Sequence, residues 1–341
     1  MITLPRAAAL VKLAAAARLR GVVVCTAILG ATALSGYGQT EERSTAEGRI
    51  SAPQLDWSEA QAALRSAAGA KTPQAAEWLA AADKMRAIYI EHPDAAEAAE
   101  AKAQEALALI RAAELGGAIA PARITASVQA AKQESKLPEH TRFVVASRAR
   151  ELAIEQGPKL DFAGQLAAYE ASARAMIEEF PARAEPYEAL LAIARDQPDG
   201  KVAAKIARDL SASNETSEEI KSAANALLAR EDLVGQKIDL AAFLGDKFQS
   251  ESLRGKVIVL HSWAPTDENS MAMRGWLEQQ ASSRIEPVGV DLSAPSKEAA
   301  SLRLSQPGMI YLIDDQGVLR DVLGRQGLQE KLAALAKEDA S

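Results

Sequence analysis

Between residues 261 and 270 the chain reads His261-Ser262-Trp263-Ala264-Pro265-Thr266-Asp267-Glu268-Asn269-Ser270. One imidazole and two carboxylates therefore fall close together in sequence. Such a set could hold a metal ion, or divide acid and base roles between a carboxyl and a ring nitrogen. A simpler chemistry competes with it. Thr266 or Asp267 precedes a helical pattern, and an acid there accepts bonds from free N–H groups of the first turn and faces the positive end of the helix dipole. Capping is the expectation for Asp267. His261 lies in an apolar run and points away from the loop if its neighbours alternate. The other imidazoles, His92 and His140, each sit beside a proline turn with no second ligand at helical spacing. They read as surface or capping residues, so neither a metal nor a cofactor is expected.

The elements that position residues 261–270 are legible. Lys256 to His261 is a continuous apolar run, as expected of a strand at the centre of a sheet. Glu268 to Gln280 reads as a helix, Pro287 to Leu292 as a second strand and Ser296 to Leu304 as a short helix. Met309 to Ile313 is a third strand, Asp315-Gln316-Gly317 a hairpin turn and Val318 to Val322 a fourth strand. A helix from Leu328 to Ala336 closes the chain. The order β-α-β-α-β-β-α describes an α/β domain with an antiparallel edge pair.

The run Ser252-Leu253-Arg254-Gly255-Lys256 through Trp263-Ala264 resembles the approach to the active site in TlpA/ResA-type thioredoxins and the related AhpC/TSA redoxins. Leu233-Val234-Gly235 with Phe248 is similar to that family's N-terminal extension. Tyr311-Leu312-Ile313-Asp314-Asp315-Gln316-Gly317 resembles its hairpin. The resemblance covers about residues 232–338, within a domain spanning 232–341, and implies a thioredoxin-like fold. It also implies a thiol–disulfide oxidoreductase, but the family places Cys-x-x-Cys two residues after Trp-Ala. Here Asp267 stands at the nucleophilic position and Ser270 at the resolving one. A carboxylate forms no mixed disulfide and a hydroxyl resolves none. The active-site-like loop would comprise Trp263, Ala264, Pro265 and Thr266 with Pro307 and Gly308. Gly308 falls where the family has its cis proline, and Pro307 falls one residue early.

Cys25 is the single cysteine. It lies in an apolar run, Gly21 to Leu34, behind a basic head containing Arg6, Lys12, Arg18 and Arg20 and before small residues. Charged head, apolar middle and small-residue exit form the pattern of a secretory signal, here over residues 1–38. An uncleaved anchor is the alternative, and would be the one route to membrane contact. Export to a bacterial periplasm or cell envelope is the expectation. Residues 39–56 are polar and read as a tether.

Residues 57–230 are rich in Ala, Leu, Glu, Lys and Arg at helical spacing. Trp78, Leu79, Ala82, Met85, Arg86 and Tyr89 follow the spacing of one apolar stripe, and Tyr169, Ala173, Met176, Ile177 and Phe180 that of another. Pro93, Gly116-Gly117, Pro121, Pro138, Gly157-Pro158, Pro181, Pro186 and Pro198 punctuate the helices. Ile90-Glu91-His92-Pro93 and Glu179-Phe180-Pro181-Ala182 echo one another. They resemble the joints of tetratricopeptide-type helical hairpins, without that repeat's full signature. A repeat-like array and an irregular bundle both remain open. The Glu/Lys and Glu/Arg pairs read as solvated faces.

A net charge of −7 argues against nucleic acid as a partner. The sequence thus reads as a helical region followed by a thioredoxin-like α/β domain without its redox thiols. A binding or scaffolding module for a protein or peptide partner is the leading expectation. The alternative is a redoxin-family oxidoreductase using cysteines supplied by a partner.

Overall fold

The structure is a computed structural model that describes residues 52–197, 199–241, 255–293, 297–304, 307–323 and 328. The signal-like segment, Phe248, Ser252–Arg254 and the helix expected beyond Leu328 lie outside these residues. Nine helices come first among the described residues: α1 (Ala52–Gly69), α2 (Ala75–Glu91), α3 (Ala98–Glu114), α4 (Pro121–Gln133), α5 (Glu139–Gln156), α6 (Phe162–Glu179), α7 (Glu185–Asp196), α8 (Gly200–Ala212) and α9 (Glu218–Glu231). Helix α1 begins five residues inside the segment read as a tether. None of the described helices is long and apolar enough to cross a membrane.

The punctuation read from the sequence marks the helix ends. Pro121 opens α4 and Pro186 lies in the first turn of α7, where a missing N–H costs nothing. The Asp199 carboxylate caps α8 through Lys201 N, and the Ser217 hydroxyl caps α9 through Ile220 N. Consecutive helices pack on one another, α1 on α2, α2 on α3, α3 on α4, α7 on α8 and α8 on α9. Alanine makes that packing close: Ala60, Ala82, Ala101, Ala106 and Ala112 are fully buried.

Two compact units divide the chain. One takes in the described residues up to Leu160 together with Arg174–Pro181; the other takes in Asp161–Ala173 and the described residues from Ala182 onward. Helices α7 to α9 thus belong with the sheet, although they precede the composition change at Leu233. In the first unit Phe143 meets Phe180 edge to face at 5.5 Å.

The second unit carries a mixed four-stranded sheet of β1 (Val257–Trp263), β2 (Ile285–Asp291), β3 (Ile310–Ile313) and β4 (Leu319–Leu323), in the order β2-β1-β3-β4. Strand β1 runs parallel to β2 and antiparallel to β3, and β4 is antiparallel to β3. Helix α10 (Glu268–Gln280) connects β1 to β2, and the short α11 (Lys297–Ser301) follows β2. Just after α9, Gly235 N–H bonds to Leu319 O and Ile238 N–H to Gly317 O, which adds an extended segment to the sheet at β4.

Strand β1 is buried on both faces, which is why it reads as an unbroken apolar run. Ile258 and Leu260 join Val288, Tyr311, Ile313 and Leu319 on one side. Val257 and Val259 join Met273 and Leu277 of α10 on the other. The Tyr311 hydroxyl donates to Leu302 O, and burial pushes the phenol up to about 12.

Candidate functional site

The C-terminal end of β1 places the residues singled out above. After Trp263 the chain turns through Ala264, Pro265 and Thr266, with Asp267 N–H bonded to Ala264 O at 3.0 Å. Asp267 is the N-cap of α10, and its Oδ1 accepts from Ser270 N at 2.6 Å. The capping expectation is met in detail. Ser270 is buried, 2% exposed. Its hydroxyl accepts from Ala264 N at 3.2 Å and donates to Asp267 O at 3.0 Å, with Ala264 O at 3.4 Å. Both side chains are therefore spent on closing one turn. Among the described residues the Ser270 hydroxyl bonds to backbone groups, and Asp267 Oδ1 accepts from a backbone amide.

A cap of this kind contributes about 0.5–2 kcal/mol. Asp267→Ala is expected to lower stability by that amount, read as a shifted urea midpoint, and Asp267→Asn by less. A loss several times larger, or none, would contradict the capping role.

Pro307 and Gly308 flank the same strand end. Gly308 N–H bonds to Ser262 O at 2.8 Å, and Met309 N–H bonds to the Ser262 hydroxyl at 3.0 Å. Gly308 has φ +85°, a conformation that favours glycine. No cis peptide bond occurs among the described residues; the bond into Pro307 starts from Gln306, outside them. Pro265, Thr266 and Pro307 are exposed and Trp263 is half-buried. Met271, on the first turns of α10, is 41% exposed.

His261 does not join this loop. Strand alternation puts it on the α10 side with Val259 and Trp263. It is 2% exposed, and neither ring nitrogen reaches a hydrogen-bond partner. Its cross-strand neighbour is Gly289, where a Cβ would lie 3.3 Å from the imidazole and 3.2 Å from Trp263 Nε1. The Arg274 guanidinium stacks 4.2 Å from the centre of the Trp263 ring and binds Glu278 at 2.9 Å. The acid–base or metal set of His261, Asp267 and Glu268 is thus corrected: among the described residues these three do not gather within reach of one ion. The physical reason is the strand, which turns the imidazole under the helix while the carboxylate turns back onto the helix end.

Burial lowers the pKa of His261, and Arg274 adds to the shift; the backbone of Val259 and Val288 opposes it without closing a hydrogen bond. A lowered value means that, below the unfolded imidazole's pKa of about 6.5, the unfolded chain takes up a proton that the folded chain refuses. Stability therefore falls as pH drops from about 6.5 toward the folded value. His261→Leu is expected to narrow the difference between urea midpoints at pH 7.5 and 5.5; an unchanged difference would contradict this.

Two polar features went unread in the sequence. His92 does not stand alone. Its Nε2 lies 3.1 Å from Asp56 Oδ2, and Glu91 lies close by. Glu105 is 1% exposed inside the helical unit rather than on a solvated face. Both depend on contacts between different helices, which local spacing does not encode.

Compared with family models, with curated proteins and with solved structures, the chain finds no match.

Proposed function

We propose that this chain is a protein-binding module exported to a bacterial cell envelope, built from a tetratricopeptide-like helical region and a thioredoxin-like domain whose redox site has become a structural turn. The observation that carries the reading is the closed turn at residues 264–270. Asp267 and Ser270, at the positions matching the family's cysteines, are both committed to backbone groups.

The thioredoxin-like assignment is supported by the strand order β2-β1-β3-β4, with one parallel and two antiparallel pairings, and by a helix that starts directly after the Trp-Ala turn. The Pro307–Gly308 loop beside Ser262 supports it further. The repeat-like reading is supported by helices that pack on their sequence neighbours with proline at their joints. Export is supported by the basic head and apolar run of residues 1–38. A frame persists after its catalytic groups are replaced, and stacked helices offer surfaces for protein partners.

The test uses the full-length chain in cells, carrying a photo-crosslinking residue at exposed Thr266 or exposed Gln129. A discrete protein adduct from at least one position is expected. Adducts from Thr266 assign binding to the strand-end loop, and adducts from Gln129 assign it to the helices. The absence of a discrete adduct from both positions overturns the binding reading.

A further inference from the structure

We infer that Asp56, Glu91 and His92 form a binding site for a first-row divalent metal ion in the helical unit. The site arises where the first turns of α1 meet the end of α2. Ala60 of α1 packs with Met85 and Ile88 of α2, and Trp57 and Tyr89 flank them. That apolar seam fixes the approach of the two helices and brings Asp56 to His92 across 36 residues of sequence.

The three side chains each offer a ligand atom, and these atoms all lie within 4.8 Å of one another. His92 Nε2 and Asp56 Oδ2 are already 3.1 Å apart. Metal bonds of about 2.0–2.2 Å hold neighbouring ligand atoms roughly 3–3.5 Å apart. Small side-chain rotations therefore suffice to centre one ion.

The charge at this place is one-sided. Among the described residues Asp56 pairs only with His92, and Glu91 forms no ion pair. Lys84, on the same helix as Glu91, is engaged by Glu59 at 3.4 Å. The last turn of α2 adds the negative end of its dipole, with His92 N–H bonded to Ile88 O as the cap. Two carboxylates and a helix C-terminus thus converge, and among the described residues the imidazole is the one basic group paired with Asp56.

Ligand chemistry narrows the ion. One imidazole nitrogen with two carboxylate oxygens suits zinc, manganese or iron, whereas calcium and magnesium take oxygen sets. The Asp56 side chain is 48% exposed and that of His92 25%, so coordination positions stay open to water or to a donor from a partner. The rival is a plain ion pair between protonated His92 and Asp56, in which Glu91 has no part.

The experiment titrates the full chain with zinc by calorimetry, and with manganese by NMR of the ring protons. With three histidines in the chain, the imidazole signals separate readily. One equivalent of zinc is expected to bind, and Asp56→Asn, Glu91→Gln and His92→Gln are each expected to weaken it at least ~10-fold. In the unaltered protein manganese is expected to broaden the His92 ring signals and spare those of His261. No binding, zinc binding that the three substitutions leave unchanged, or broadening that misses His92 would each overturn the site.

Discussion

Replacing Glu105 by alanine is expected to destabilise the helical unit by about 3–5 kcal/mol, the usual effect of breaking a buried charged network from one side. Glu105 lies in α3 with 1% of its surface exposed. Its Oε2 accepts from the Tyr89 hydroxyl at 2.6 Å and from the Ser127 hydroxyl at 3.1 Å. Its Oε1 faces Arg123 Nη2 at 3.6 Å, and the same nitrogen binds Asp83 at 2.6 Å. One carboxylate thus joins α2, α3 and α4. Burial, and then the Glu105 carboxylate, hold the Tyr89 phenol well above its ordinary range. Alanine leaves two hydroxyls and part of a guanidinium facing an apolar gap, and stranded buried donors are costly. Glu105→Gln keeps the volume and one acceptor, so it is expected to cost less. Hydrogen exchange of the α2–α4 amides measures both. Equal, small acceleration in the two variants would mean that the network contributes little.

Gly289→Leu is expected to cost about 1 kcal/mol, because Gly289 is exposed on an edge strand and the crowding falls on two rings rather than on a filled core. Gly289 pairs with His261 across β1 and β2 and supplies no side chain on the face where His261 and Trp263 lie. Even a methyl group there would meet both rings at 3.2–3.3 Å. Beyond its Cβ a longer side chain can turn toward solvent, so the crowding is confined to the imidazole and the indole. If that crowding is the cause, combining Gly289→Leu with His261→Ala recovers a good part of the loss, because the two residues share one space. Urea midpoints of the two single variants and the double variant give the coupling. Strictly additive losses would place the damage elsewhere.

Local pattern carried the order of elements. The apolar run at 257–260 marks a strand buried on both faces, and Glu268–Gln280 appears as the helix expected. Those features rest on neighbouring residues, and so does the Asp267 cap. Glu105 went unread because a glutamate in an alanine-rich helix has the same local context whether it faces water or a tyrosine on the next helix. Asp56 was misread for a related reason: its segment is polar, yet Trp57 and Ala60 anchor it to α2. His261 was legible as a strand residue, but its burial beneath Trp263 and Arg274 depends on Gly289, which only the pairing of β1 with β2 reveals.

We propose the turn at 264–270 as a thioredoxin-like active-site frame with its thiols replaced. The most direct measurement is disulfide reductase activity of the Asp267→Cys/Ser270→Cys variant in a Cys25→Ser background. Positions three apart at a helix start have Cα atoms roughly 5 Å apart, within reach of a disulfide, and a thiol at a helix N-terminus has a lowered pKa. The variant is expected to close one intramolecular disulfide and, once reduced, to reduce a protein disulfide faster than the chain carrying Asp267 and Ser270. A variant that folds, yet neither closes the disulfide nor exchanges it, would mean that the turn is not such a frame.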